Sequence, residues 1–283
     1  MPKLSIITIN YNNLEGLKRT VESVVNQTWQ EFEYIVIDGG SNDGSASYIE
    51  SQSANIDYWV SEPDKGIYNA MNKGIAMATG EYLLFLNSGD HFYKNSAVEE
   101  NLKYLIRYDL IYFNFEQVGV KLTELISYPE KLRFSDMYFG ALCHQSTFIK
   151  KDLFDKVGLY DEKLKIVSDW KFMILALFKY NCTYTKVNET ISTYYLDGIS
   201  SKIDFSDERR LVLNNYFQEY VSDYDELFNK RNDLKIHQDY LYTNRLKMLL
   251  EIEKTAMGRK IMTIFFRLFI FLFWKKKIKD ILK

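Results

Sequence analysis

The 283-residue chain is 47% hydrophobic and 26% charged, with 13 glycines, 3 prolines and 2 cysteines. That composition excludes a disordered, collagenous or disulfide-stapled protein, and the length suits one domain of about 200–250 residues carrying an appendage. Net charge is −2, but the stretch from Arg259 onward holds eight basic side chains and one acid, so the rest of the chain carries −9 and is unsuited to nucleic acid.

The opening Met1-Pro2-Lys3-Leu4-Ser5 lacks the apolar run of a secretory leader, so secretion is not expected. Cys143 and Cys182 accordingly read as buried thiols in a reducing compartment. Leu4 to Ile9 is a short apolar, β-branched run of the kind that forms a buried parallel strand. Asn12-Asn13 then opens a helix over about 14–26, with Leu17, Val21, Val24 and Val25 on one face. Tyr34 to Ile37 is a second strand, and Ser41-Asn42-Asp43-Gly44 turns the chain into a helix over about 45–52. A short strand at Tyr58 to Val60, a helix over 67–78 and a strand at Tyr82 to Leu86 follow. Strands alternating with helices at this spacing predict βαβ units, hence an α/β fold on a mostly parallel sheet with flanking helices.

Beyond Asp90 the pattern predicts a helix over 97–107, a strand at 110–113 and a β-rich stretch to about 149. An apolar helix over 169–180 and strands at 183–187 and 191–195 come next. Residues 205–256 read as two polar helices separated near 229–233. The 14-residue run Ile261 to Trp274, with Arg267 at its middle, is shorter than the roughly 20 apolar residues of a spanning helix. Its flanks, Arg259-Lys260 and Lys275-Lys276-Lys277, suit a helix lying in a membrane interface; packing on protein is the alternative. The expected organisation is an α/β domain over 1–204, in two halves at 1–95 and 96–204. A helical extension over 205–258 and a basic amphipathic tail over 259–283 follow it.

In open α/β sheets, ligands bind beyond the carboxyl ends of the strands. Thr8, Asn10 and Tyr11 stand at the end of the first strand, Asp38 at the second, and Asn87, Ser88 and Asp90 at the fourth. Neither a G-x-G-x-x-G nor a G-x-x-x-x-G-K run follows the first strand, which opposes a dinucleotide or P-loop site. A nicotinamide-dependent dehydrogenase loses its main support with them.

Four stretches together resemble the family 2 glycosyltransferases, and in particular bacterial surface-polysaccharide enzymes of the colanic-acid type. They are Ser5 to Asn12, Ile37 to Ser45, Glu62 to Gly74 and Ala78 to Asp90, with His144 to Phe148 and Ser168 to Phe172 standing at acceptor-side motifs. The resemblance spans roughly residues 3–201. It implies a GT-A fold, a nucleotide-sugar donor (most simply a UDP-hexose), a glycan or lipid-linked acceptor, Mg²⁺ or Mn²⁺, and inversion at the anomeric carbon. By resemblance, Thr8, Asn10, Tyr11 and Asp38 surround the base, Asp43 supports that pocket, and Lys65 neutralises donor phosphate; ending the first strand, capping the turn at Asp38 and Asp43, and a surface lysine at 65 are the structural alternatives.

Asp90 occupies the metal-binding end of a signature usually written Asp-X-Asp, which here reads Asn87-Ser88-Gly89-Asp90 with a single carboxylate. Asp169, in Ser168-Asp169-Trp170, stands where the family carries its base; capping its own helix is the structural alternative. Trp170 suits stacking on a sugar face; His144, in a matching motif, lines the acceptor side by resemblance, with a hydrogen-bonded structural histidine the alternative. Asp197 to Ser201 resembles a loop that closes over the diphosphate; an ordinary turn is the alternative. The expected protein is peripheral on the inner face of the cell membrane, with a homo-oligomer open. A catalytically silent sugar-nucleotide-binding or scaffolding subunit is the rival reading, motivated by the thinned acidic motifs.

Overall fold

A computed structural model describes residues 2–120, 122–196, 198 and 204–273. The chain divides into two compact units, 1–218 and 219–283.

The first unit opens as the sequence pattern predicts. Strand β1 (Leu4–Asn10) leads to helix α1 (Leu14–Val25), β2 (Glu33–Asp38), α2 (Ser45–Ser51), β3 (Tyr58–Ser61), α3 (Ile67–Met77) and β4 (Tyr82–Phe85). Strands β1, β2, β3 and β4 pair in parallel, and the β1–β2 register sets Asn10 directly beside Asp38. Every residue of β1 is buried because helices cover both faces of the sheet. Leu17, Val21 and Val24 of α1 join Ile6, Tyr34 and Val36 in one core. On the opposite face α3 comes so close that a Cβ on Gly74 would lie 2.5 Å from Ile7 Cγ2, so only glycine fits there.

The second half of the sheet is mixed, which corrects the mostly parallel expectation. The remaining elements are β5 (His91–Phe92), β6 (Leu110–Val118), β7 (Thr123–Ile126), α4 (Phe134–Phe139), β8 (Thr147–Lys150), α5 (Asp152–Val157), α6 (Ser168–Phe178) and β9 (Tyr184–Tyr195). The sheet order is β3-β2-β1-β4-β8-β6-β9-β5, with β7 on β6. Pairs β4–β8, β6–β8, β6–β7 and β5–β9 are antiparallel, while β6–β9 is parallel. Alternating apolar patterns do not encode strand direction, so the sequence carried no signal for this change.

Other elements shift for local reasons. The helix expected over 97–107 shrinks to a 3₁₀ stretch at Glu99–Tyr104, and the two strands expected at 183–195 are one strand, β9, with register shifts against β6. Helix α7 (Ser206–Glu253) departs from helical backbone at Phe217 rather than near 229–233. Phe217 is buried there, its ring 5.0 Å from that of Phe134, so tertiary packing places the kink. Helix α8 (Ala256–Phe273) closes the described chain.

Candidate active site

A cavity of about 770 Å³ opens at the carboxyl ends of β1 and β4. Asn10 and Tyr11 line it from β1, Asn87 to Asp90 from the turn after β4, and His144 and Gln145 from the 3₁₀ turn before β8. Asp169 and Trp170 enter from the start of α6, and Arg209 from the start of α7.

The β1–β2 end is organised by Asp38. Its carboxylate is fully buried and accepts four hydrogen bonds: from Asn10 Nδ2 (2.7 Å), Ser41 Oγ (2.6 Å), the Ser41 amide (2.9 Å) and Ser61 Oγ (2.6 Å). Burial pushes this carboxyl up, but the donors from Ser41, Ser61 and Asn10 outweigh it and hold it below the ordinary range. Asp38 is not among the cavity-lining residues; it stands behind Asn10 and Tyr11 and holds the turn that shapes the rim. Asp43 lies outside the lining too. It accepts from the Leu14 amide (2.9 Å) and from Ser45 Oγ (2.6 Å), tying the starts of α1 and α2 together. Thr8 is buried against Tyr34 Oη (3.1 Å), and Lys65 is exposed beside the lining residues Asp64 and Gly66. Of the base-pocket residues expected from sequence, Asn10 and Tyr11 therefore face the cavity directly.

The turn after β4 is pinned by a residue that the sequence reading passed over. Thr20, buried in α1, donates to the Asp90 carbonyl (2.6 Å) and accepts from the Gly89 amide (3.0 Å). Gly89 has φ +112°, so the turn needs glycine there. Asp90 is 6% exposed; its Oδ2 accepts from Gln145 Nε2 (2.8 Å) and its Oδ1 from the Tyr195 amide (3.2 Å). Among the described residues no group of three or more His, Cys, Asp or Glu side chains converges as a metal cage. Asp90 is the carboxylate this turn offers a hard cation.

On the facing wall Asp169 is the centre of a hydrogen-bonded chain. Its Oδ1 lies 2.9 Å from Tyr68 Oη, whose single proton it shares with the Ile166 carbonyl, and its Oδ2 faces His144 Nδ1 (2.8 Å). His144 Nε2 in turn lies 3.1 Å from Asn87 Nδ2. Burial raises the Asp169 carboxyl, yet the bonds from His144, Tyr68 and the Trp170 amide bring it net below the ordinary carboxylate range, so it is ionised at neutral pH. Burial and the Asp169 charge push the Tyr68 phenol well up, leaving it a donor.

Trp170 differs from its expected role. It is 3% exposed, its indole N–H donates to the Met137 carbonyl (2.7 Å), and the Arg209 guanidinium lies 4.4 Å over its ring. That geometry makes it a buttress of the cavity wall rather than a sugar platform. Arg209 caps the end of α4 through the carbonyls of Met137, Tyr138 and Gly140, and burial draws its guanidinium down to about 10, still charged at neutral pH. Glu208 accepts from the amides of Lys165 and Ile166, which line the same wall. No local motif announced Arg209 or Glu208, because their partners lie some 40 to 70 residues away in sequence. The 197–201 loop lies outside the described residues except for Gly198, which lines the cavity.

A mixed sheet with helices on both faces, and a cavity at its strand ends lined by Asp90 and Asp169, is the architecture of a GT-A glycosyltransferase. The profile of Glycosyl transferase family 2 matches residues 5–155, and the chain belongs to this family. An uncharacterized glycosyltransferase of Mycobacterium tuberculosis is 34% identical over 222 residues, covering 74% of this chain and 83% of the relative. A PGL/p-HBAD biosynthesis glycosyltransferase of Mycobacterium bovis is 27% identical, covering 61% of this chain and 69% of its own length.

Among solved structures, S. aureus TarS 1-349 in complex with UDP-GlcNAc superposes with a TM-score of 0.60 at 17% identity, covering 75% of this chain and 64% of that one. The chain spans 44% of the longer TarS chain. The mannosyltransferase PcManGT of Pyrobaculum calidifontis, in complex with GDP-Man and Mn²⁺, superposes with a TM-score of 0.55 at 13% identity over 95% of this chain and 81% of its own. At these identities the solved structures establish the shared fold.

Proposed function

We propose that this glycosyltransferase moves a hexose from a nucleotide sugar, preferentially a UDP-hexose, to a glycan or lipid-linked glycan acceptor of surface polysaccharide, with inversion. The observation that carries the reading is the ionised Asp169 carboxylate, held by Tyr68 and His144 on the wall of the cavity that Asp90 and the β1 and β4 ends also line. Single-displacement transfer needs a proton acceptor on the acceptor's side and charge compensation at the departing diphosphate. Asp169 with its partners supplies the first. Mg²⁺ or Mn²⁺ held by Asp90 would, when bound, supply the second as a Lewis acid. Asn10 and Tyr11 receive the base on the rim that Asp38 stiffens. The UDP-GlcNAc and GDP-Man complexes of the structural neighbours support a nucleotide-sugar donor.

The second unit supports a membrane-peripheral location. No helix of the described residues is long and apolar enough to cross a membrane. Along α8, however, Met257, Ile261, Ile264 and Phe265 recur on one face and are 57–72% exposed. An exposed apolar face on a helix with basic flanks matches interfacial binding at an anionic leaflet, where a lipid-linked acceptor would be presented.

The test is a nucleotide-sugar screen with the purified chain and Mn²⁺, reading released nucleoside diphosphate and the anomeric configuration of the product by NMR. UDP release with an inverted product is expected; retention, or no transfer from any nucleotide sugar, overturns the proposal. The lone carboxylate of the Asn87-to-Asp90 turn keeps the silent-subunit reading in view, and UDP binding without turnover would select it.

A further inference from the structure

The chain Tyr68–Asp169–His144–Asn87 contains more than a carboxylate. A carboxylate can only accept, so His144 Nδ1, 2.8 Å from Asp169 Oδ2, carries the ring proton. Nε2 of the neutral ring then holds the lone pair, and the Asn87 amide nitrogen at 3.1 Å donates to it. Asp169 itself is engaged on both oxygens by Tyr68 and His144 and receives the Trp170 amide as well. That arrangement stabilises its negative charge and weakens it as a base, while suiting it to orient an imidazole and to hold an imidazolium.

A second observation points the same way. Asn87 Oδ1 is buried with no hydrogen-bond partner. A half-turn of the Asn87 amide presents this oxygen to Nε2, which it can satisfy once that nitrogen bears a proton. The site therefore holds a partner for both protonation states of His144.

Resting on the glycosyl-transfer reading above, we infer that Nε2 of His144 is the atom that takes the acceptor's proton, with Asp169 acting through it as a positioning residue. In the reaction the acceptor hydroxyl displaces the Asn87 N–H from Nε2. The hydroxyl proton passes to Nε2 as the hydroxyl oxygen bonds to the anomeric carbon. The bond from that carbon to the diphosphate oxygen breaks, and the electron pair leaves with the nucleoside diphosphate. The imidazolium, held by Asp169, returns its proton to water after product departs. The titratable group that meets the ring is Asp169 from α6, which in turn meets Tyr68 from α3 and feels the Arg209 charge from α7, while Asp90 is held by Gln145, the residue after His144. The neighbouring Cys143 thiol is pushed up to about 12 by burial and stays neutral.

The test uses the full chain with the donor and acceptor that give transfer. His144→Asn retains an N–H where Nδ1 donates to Asp169 but has no base at the Nε2 position. Expected are a fall in kcat of roughly 10²–10⁴-fold and UDP affinity by calorimetry within about twofold of wild type. A His144→Asn enzyme within about fivefold of wild type would show that Asp169 takes the proton directly and would overturn the inference. Absence of transfer by the wild type with every donor defeats the underlying glycosyl-transfer reading, and this inference with it.

Discussion

Replacing Asp38 tests whether this residue acts through structure or through contact with the donor. Asp38→Ala removes the acceptor of four buried donors and leaves them unpaired inside the β1–β2 end. Each neutral buried donor left unpaired costs about 1–3 kcal/mol, and with partial re-pairing among Asn10, Ser41 and Ser61 the total is about 3–5 kcal/mol. Asp38→Asn is different in this particular site, because Asn10 Oδ1 is buried without a partner. With the new amide nitrogen at the Oδ1 position, Asn10 can turn its own amide to accept, and the Ser41 hydroxyl can rotate to accept too. The surviving oxygen keeps the Ser41 amide and Ser61, so the loss is mainly that of charge assistance, about 1–2 kcal/mol. At about 2–4 °C per kcal/mol for a unit of this size, the Ala variant should melt roughly 6–20 °C lower and the Asn variant roughly 2–8 °C lower.

The pH dependence follows from the depressed carboxyl. Its stabilisation is present above the unfolded-state value of about 3.9 and is lost as pH falls through the lower folded value. The gap between wild type and Asp38→Asn should therefore be full at pH 6 and narrow below about pH 4. Differential scanning calorimetry across pH, paired with UDP calorimetry, reads both effects. An Ala variant no less stable than the Asn variant would refute the network reasoning. Lost UDP binding in an Asn variant of unchanged melting temperature would return Asp38 to direct donor contact.

Three further outcomes are expected. Arg209→Ala should lower stability by about 2–4 kcal/mol in denaturant titration, since three carbonyls lose their shared donor and Trp170 loses its cation. Arg209→Lys should recover less than half of that, for lack of a planar group to stack. Thr20→Val, close in shape but without the hydroxyl, should cost about 1–3 kcal/mol and weaken Mn²⁺-dependent UDP binding measured by calorimetry, because the Gly89–Asp90 turn loses its pin. Removal of residues from Arg259 onward should abolish flotation with anionic vesicles and leave UDP affinity unchanged, whereas full-length protein should bind anionic vesicles better than neutral ones and less well at high salt. Vesicle binding that survives the truncation would refute the tail reading.

Much of the first unit was legible in the sequence because its signals are local. The apolar runs of β1 and β2, the amphipathic period of α1 and the polar clusters at Asn10-Tyr11, Asp38 and Asn87 to Asp90 each lie within a dozen residues, and regular backbone converts them directly into elements and strand ends. Asp169 and His144 were likewise visible as residues in motifs. What they do together was not, since 25 residues separate them and only the packing of α6 against the turn before β8 brings Nδ1 to Oδ2. The same physics decided the rest. Strand direction in the second half, the burial of Trp170 beneath Arg209, the Asp38–Ser61 hydrogen bond and the kink at Phe217 all depend on contacts between distant segments. Hydrophobic burial specifies which residues go inside but is non-directional, so partners across the core are chosen by tertiary geometry and leave no periodic trace in the chain.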